Sequence, residues 1–400
     1  MSPTYRVAIV APRYGHEVNG GAETLARLYA QQLARHADIT VLTTCALDYR
    51  TWADHFVAGA SMDGPVHVLR FLVPTPRDEA AFDALSAHVL TAAAPSADEQ
   101  QRWMDAQGPI SPGLERHLAD HGHEYDAVLF IPYLYATTVR GLPLVADRAV
   151  LVPAMHDEPT LRLPIFDDLI GGAQSLVFST PEEVELAVRR FGVPPSRCHL
   201  VGAGIDLPSR GDHHRFADVR GTDRPFVLAL GRVDPSKGAL DLIDMHRRYR
   251  EARPNGLDLV LMGRAVVEVP DEPWLHVTGF VDDATKHDAL AGCTALVSAS
   301  PYESLSLVLL EAWAQGRPVI VTTRSDVLTG QTRRAGGGLW FTTPDEYAAA
   351  VDLLASRPPL AWGLGRSGWR FARSLAWPDV TGRLLAALPG YPTTDPARTA

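Results

Sequence analysis

Short runs of β-branched and apolar residues alternate along this chain with longer segments of helical period, and the alternation runs through twice. The first series of strand-like runs is Arg6–Ala11, Ile39–Thr43, Val66–Leu72, Ala127–Pro132, Ala149–Pro153, Leu176–Ser179 and His199–Val201. Helical patterns at Gly21–Arg35, Ser111–Asp120 and Pro181–Phe191 lie between them. A second series restarts at Phe226–Leu230 and continues through Leu257–Met262, His276–Gly279, Ala295–Ala299 and Pro318–Val321. Its helices are expected at Lys237–Glu251, Asp283–Leu290, Leu305–Gln315 and Asp345–Ser356. Strands separated by helices of about 10–15 residues are the mark of parallel βαβ units. The reading is an α/β protein of two doubly wound, Rossmann-like domains, and 400 residues fit two cores better than one.

The domain boundaries follow from where the period fails. Residues 1–207 form the expected N-terminal domain and 208–377 the C-terminal one. The stretch Pro208–Arg224 is polar and aperiodic, as a linker is. Leu72–Pro112 reads as an irregular insertion in the first domain. Residues 378–388 read as a final amphipathic helix, and 389–400 as a frayed Pro/Thr-rich tail. The opening MSPTYRVAIVAPRYG lacks a basic start and a cleavable apolar stretch, and no apolar run nears the roughly 18 residues of a spanning helix. Cys45, Cys198 and Cys293 are odd in number and far apart, which indicates neither disulfides nor a zinc cluster and points to a reducing cytoplasm. A formal charge of −10 argues against nucleic acid as a partner. A local cationic pocket for a small anion stays open.

Ligands of open α/β sheets bind at the carboxyl ends of the strands, and with two sheets the expected site is the cleft where those ends face each other. Four loops at such ends carry chemistry. Pro12–Glu23 (PRYGHEVNGGAE) ends in Gly20–Gly21 directly before a helix, where the backbone can approach an anion. Gly231–Gly238 (GRVDPSKG) sets Arg232 and Lys237 around a tight turn at a helix mouth, which suits a diphosphate. Ser300–Gln315 (SPYESLSLVLLEAWAQ) holds Glu303 and, eight residues on, Glu311, with Ser304 and Ser306 as helix starters between them. At about 1.5 Å per residue the two carboxylates lie within roughly 12 Å and can touch different parts of one ligand. Apolar neighbours predict partial burial for Glu311, which then needs partners. Finally, Ala154–Pro159 (AMHDEP) places His156, followed by Asp157 and Glu158, at a strand end.

GRVDPSKG and ESLSLVLLE, with the NGGAE loop ahead of them, resemble in order and spacing the motifs of the family-four retaining glycosyltransferases of the GT-B fold, over roughly residues 5–388. The resemblance implies that Arg232 and Lys237 hold the diphosphate of a nucleotide-sugar, with Gly20, Gly21 and Gly231 close to the donor. It implies that Glu303 hydrogen-bonds the transferred sugar and that Glu311 binds the ribose. Backbone N–H groups around Leu305 and Leu307, flanked by Ser304 and Ser306, would cap a phosphate, and the Gly279–Val281 turn, with Val281, would meet the base. His156 would meet the sugar from the first domain, and the last helix would cross back onto that domain. Asp157 and Gln107, the latter in the QGPISP loop, are the expected acceptor contacts. Many members carry Gly and Phe after the first glutamate where this chain has Ser304–Leu305–Ser306, a change that keeps the helix-start N–H groups.

The implied reaction is sugar transfer to a carbohydrate or other hydroxyl acceptor with retained anomeric configuration, by front-face substitution. No Asp-x-Asp motif stands at a strand end, so neither a metal nor another cofactor is expected. Rival readings are a nucleotide-sugar epimerase, a sugar phosphorylase, or a carbohydrate-binding protein without catalysis. Between Asp78 and His121 eight carboxylates stand against two arginines, a net of −6 that disfavours an anionic membrane and limits membrane contact to the peripheral kind.

Overall fold

The computed structural model describes residues 5–18 and 20–392. It divides into two compact units, Met1–Gly202 with Pro378–Ala400, and Ala203–Trp377. The first unit holds β1 (Arg6–Val10), β2 (Asp38–Thr44), β3 (Gly59–Asp63), β4 (Val66–Phe71), β5 (Ala127–Phe130), β6 (Ala149–Leu151), β7 (Ser175–Phe178) and β8 (Cys198–Leu200). The second holds β9 (Phe226–Leu230), β10 (Asp258–Met262), β11 (Leu275–Gly279), β12 (Ala295–Ser298), β13 (Val319–Thr322) and β14 (Gly338–Phe341).

The first sheet has the order β3-β4-β2-β1-β5-β6-β7-β8, parallel except for β3 against β4. The second, β11-β10-β9-β12-β13-β14, is parallel throughout. Helices on both faces explain why β5 (AVLF) and the first three residues of β13 (VIVT) read as apolar runs: all eight residues of the two strands are buried. The two strands missing from the sequence reading have physical reasons. β3 (GASMD) is an edge strand with four of its five residues exposed, and β14 follows directly on Gly336–Gly337.

Three segments differ from the sequence-based expectation. Leu72–Pro112 is not irregular: it contains the helices Glu79–Thr91 and Ala97–Gln107. Asp78 caps the first, and Ser96 with Glu99 forms a capping box on the second. Trp103 and Met104 of the second helix are buried in the core of the unit. Pro208–Arg224 is not all linker, because His213–Arg220 is a helix whose Phe216 packs 5.5 Å from the ring of Phe226. Of the expected frayed tail, Tyr391 packs edge-on against Tyr5 at 5.0 Å, while the part beyond residue 392 lies outside the described residues. The helix Trp377–Ala386 belongs, from Pro378 onward, to the first unit, where Arg383 donates to the carbonyl of Val201 at 2.9 Å.

A helix absent from the sequence reading, Pro358–Arg373, braces the helix Leu307–Ala314. Its Gly368 lies so close that an added Cβ would stand 2.1 Å from the indole of Trp313, whose Nε1 donates to the Gly337 carbonyl at 2.9 Å. Trp313 is fully buried, and Glu311 rides two residues before it on the same rigid helix.

His246, fully buried in this unit, donates from Nε2 to the Leu257 carbonyl at 3.0 Å and accepts from the Tyr347 hydroxyl at 2.7 Å. Burial lowers its pKa from 6.5 to about 4. The native state keeps the ring neutral down to that pH, while the unfolded chain protonates it near 6.5. Its contribution is therefore complete above pH 6.5 and is lost as pH falls towards 4, about 3 kcal/mol over the interval. Denaturant unfolding at pH 7.5, 6 and 5 should show this acid slope in the wild type and a shallower one in His246→Gln.

Candidate active site

The C-terminal sheet places β9 and β12 side by side, while the chain leaves β9 for β10 on its other flank. This is the topological switch point, where the loops part and leave a crevice at the strands' carboxyl ends. The loop after β9 is fixed by backbone pairing, Gly231 N–H to the Met262 carbonyl and Val233 N–H to that of Arg264, both at 3.0 Å. It then tightens into the single turn Pro235–Lys237. Asp234, only 5 % exposed, ties the loop together. Its Oδ1 accepts the Lys237 N–H at 3.2 Å, and its Oδ2 lies 3.3 Å from an Arg232 guanidinium nitrogen. Gly238 follows with φ +69°, and a Cβ there would stand 2.2 Å from the Ala299 carbonyl. Only glycine permits both the turn and the close approach, which draws the mouth of the helix Ala239–Ala252 against the end of β12.

That approach brings two of the expected residues together. Lys237 Nζ lies 2.9 Å from Glu303 Oε1, with the lysine side chain 38 % exposed and the glutamate 15 %. Beyond Glu303, the helix Leu307–Ala314 starts after Ser306, whose hydroxyl makes no capping bond. Its first-turn N–H groups thus receive no cap from the Ser306 hydroxyl, and the Leu307 backbone stands at this helix start. The backbone of Ser306 is instead held by buried Gln331, which accepts from its N–H at 3.3 Å and donates to its carbonyl at 3.2 Å. Ser304 and Leu305, in the loop ahead of it, are partly buried.

Glu311 is partly buried and has a partner that sequence reasoning missed. Lys286 Nζ lies 2.8 Å from Glu311 Oε1 and 2.9 Å from Asp283. Burial works against the lysine charge, but the two carboxylates outweigh it and hold the ammonium above the usual lysine range. Lys286 sits in the first turn of the helix Asp283–Gly292, capped by Asp282. That helix starts just past the Gly279–Val281 turn, where Phe280 is exposed and Val281 packs against the core. Among the described residues no group of three or more His, Cys, Asp or Glu side chains converges to hold a metal ion.

In the N-terminal unit, Gly20 and Gly21 precede and open the helix Gly21–Leu33. Arg13 and Glu23, 5 % and 7 % exposed, pair beneath them with Nε 3.0 Å from Oε1, and Arg13 also donates to the Leu47 carbonyl at 3.0 Å. The glutamate of NGGAE is therefore a buried brace. His156 Nδ1 lies 3.2 Å from Glu158 Oε1, which also accepts from the Tyr133 hydroxyl at 2.8 Å. Burial pushes the Glu158 carboxyl up, yet these partners outweigh it and hold the group below the usual range. The two expected acceptor residues differ in exposure. Asp157 is exposed and lies 3.6 Å from Arg189. Gln107 is only 6 % exposed, and its side-chain oxygen accepts from Arg77 at 2.8 Å, which makes it a buried support for the Trp52 loop.

Residues 224–357, the stretch that carries Arg232, Lys237, Glu303 and Glu311, match the family model described as glycosyl transferases group 1. D-inositol 3-phosphate glycosyltransferase of Thermobifida fusca is 26% identical over 325 residues, 70% of this chain and 73% of that protein. Trehalose synthase of Rubrobacter xylanophilus is 29% identical over 214 residues, 49% and 50% of the two chains. Among solved structures, sucrose-phosphate synthase of Thermosynechococcus elongatus superposes with a TM-score of 0.72 at 18% identity, covering 95% of this chain and 97% of its own. HepE of Anabaena, solved with UDP and glucose, gives 0.69 at 16%, covering 95% and 98%. Over residues 224–357 the chain is thus similar to the glycosyl transferases of group 1, and its fold is GT-B.

Proposed function

We propose that the protein transfers a sugar from a nucleoside-diphosphate sugar to a hydroxyl of a polyol or carbohydrate, with the anomeric configuration retained. The observation that carries this reading is the cation-bearing loop at the switch point: Arg232 and Lys237, tied through Asp234, beside Glu303 and a helix start that the Ser306 hydroxyl does not cap. Breaking the bond from the anomeric carbon to the diphosphate develops negative charge on the leaving oxygens. Fixed cations and N–H dipoles stabilise charge that appears in the transition state without having to reorganise. In this reading Lys237 exchanges Glu303 for the diphosphate, and Glu303 is freed to accept hydrogen bonds from the sugar hydroxyls. The leaving-group charge then rests on Arg232, Lys237 and the helix N-terminus, with no metal or other cofactor invoked.

Glu311 is assigned to the ribose hydroxyls, held in place by Lys286, and the Gly279–Val281 turn to the base. On the N-terminal unit, His156, whose Nδ1 lies 3.2 Å from Glu158 Oε1, is assigned to the sugar. Gly20 and Gly21 keep the backbone bare for the donor. Front-face substitution, in which the departing phosphate oxygen takes the acceptor proton, requires no enzymatic nucleophile. The curated relatives named for transfer to D-inositol 3-phosphate favour a polyol acceptor, and HepE, solved with UDP, makes a UDP-sugar the first donor to test. No helix of the described residues is long and apolar enough to cross a membrane.

Incubation with UDP-, GDP-, ADP- and dTDP-glucose, each with and without a panel of polyols and sugars, separates the alternatives. Acceptor-dependent release of nucleotide supports transfer; release without acceptor or consumption of free phosphate supports an epimerase or a phosphorylase. Lys237→Ala should lower turnover at least about tenfold, ~1.4 kcal/mol in the barrier, and unchanged turnover would contradict the phosphate role. Lys286→Met should act on binding instead, raising the donor KM about tenfold with little change in kcat, as steady-state kinetics would show.

A further inference from the structure

The buried carboxylate of Glu183 takes no part in the chemistry above, yet it sits behind His156. Glu183 is 1 % exposed at the start of the helix Pro181–Phe191, and its own N–H is capped by Thr180 Oγ1 at 3.3 Å. Its two oxygens reach different strand ends. Oε1 accepts the N–H of Met155, just past β6, and Oε2 accepts the N–H of Ser179, just past β7, each at 2.8 Å. The residue before Met155 is Ala154, one of two non-glycine residues with positive φ among those described, at +50°. A left-handed alanine is strained and persists only where its surroundings over-determine it.

Those surroundings can be named. Pro153, on one side of Ala154, accepts from the Tyr133 N–H at 3.0 Å; Met155, on the other, is buried and bonded to Glu183. His156 leaves the turn next and meets Glu158. Both ends of the strained residue are thereby pinned, and Glu183 supplies the pin on the histidine side.

We propose that Glu183 is a positioning residue: by gripping the Met155 N–H from the β7 turn, it enforces the left-handed bend at Ala154 that aims the His156 imidazole at Glu158 and the sugar. The proposal rests on the reading that His156 meets the sugar. A glutamine at 183 offers one acceptor oxygen to two N–H donors and sets an NH2 group against the second, so the grip loosens while side-chain volume stays constant.

The test is a double-mutant cycle read as kcat on whichever of UDP-, GDP-, ADP- and dTDP-glucose turns over, with a crystal structure of Glu183→Gln as the second readout. Glu183→Gln should lower kcat tenfold or more, and Glu183→Gln/His156→Ala should be no slower than His156→Ala alone. In the crystal structure, Ala154 should relax to negative φ and His156 Nδ1 should leave hydrogen-bonding distance of Glu158. Additive losses in the cycle, or an unchanged Ala154–His156 turn in the variant, would overturn the proposal. If His156→Ala keeps wild-type turnover or no donor reacts, the sugar-binding reading of His156 fails, and the geometry of the variant still decides the role of Glu183.

Discussion

The site of the C-terminal unit hangs on one close approach, Gly238 against the carbonyl of Ala299. It is the reason that a helix mouth following β9 and a loop following β12 can share an ion pair. With any side chain at 238 the two would be forced apart, and the 2.9 Å separation of Lys237 and Glu303 would open. Asp234 works in the same direction from within the loop, fixing Arg232 with one oxygen and the Lys237 backbone with the other. A pair of cations held this way does not have to be gathered when an anion arrives, and such preorganisation is what lends electrostatic catalysis its size.

Four glutamates, two in each unit, are each matched to a partner whose strength suits its burial. Glu303 is matched to Lys237, Glu311 to Lys286, Glu158 to His156 and Tyr133, and Glu23 to Arg13. Charges taken out of water require this, since an unpaired one would neutralise itself. The pairs divide by exposure. Arg13–Glu23 is sealed and supports a backbone loop, whereas Lys237 and Glu311 keep part of their surface open to a ligand.

Much of the architecture was legible because a parallel strand buried on both faces writes itself as an apolar run, and strands such as β1, β5 and β12 carried that mark. Edge strand β3 did not, because exposure removes the apolar signal. The helices of 72–112 hid in an alanine-rich, proline-flanked stretch, although Ser96 and Glu99 spelled a capping box that points to one of them. In the site, loops at strand ends could be picked out by position, and Glu303 and Lys237 proved to be neighbours. Lys286 could not be found this way, since its link to Glu311 spans 25 residues and exists only once two helices pack. Gln331, Gln107 and Glu183 share that limit: a buried polar residue declares its role by what surrounds it, which sequence spacing does not record.

The account turns on a diphosphate held by Arg232 and Lys237. Its most direct test is calorimetric binding of UDP, GDP, ADP and dTDP, and of the parent nucleoside of the tightest binder, to the wild type and to Arg232→Ala/Lys237→Ala. The account predicts that the double variant loses about a hundredfold or more in affinity for the diphosphate, ~2.7 kcal/mol, and binds the nucleoside as before. Undiminished binding of the diphosphate by the double variant would contradict it.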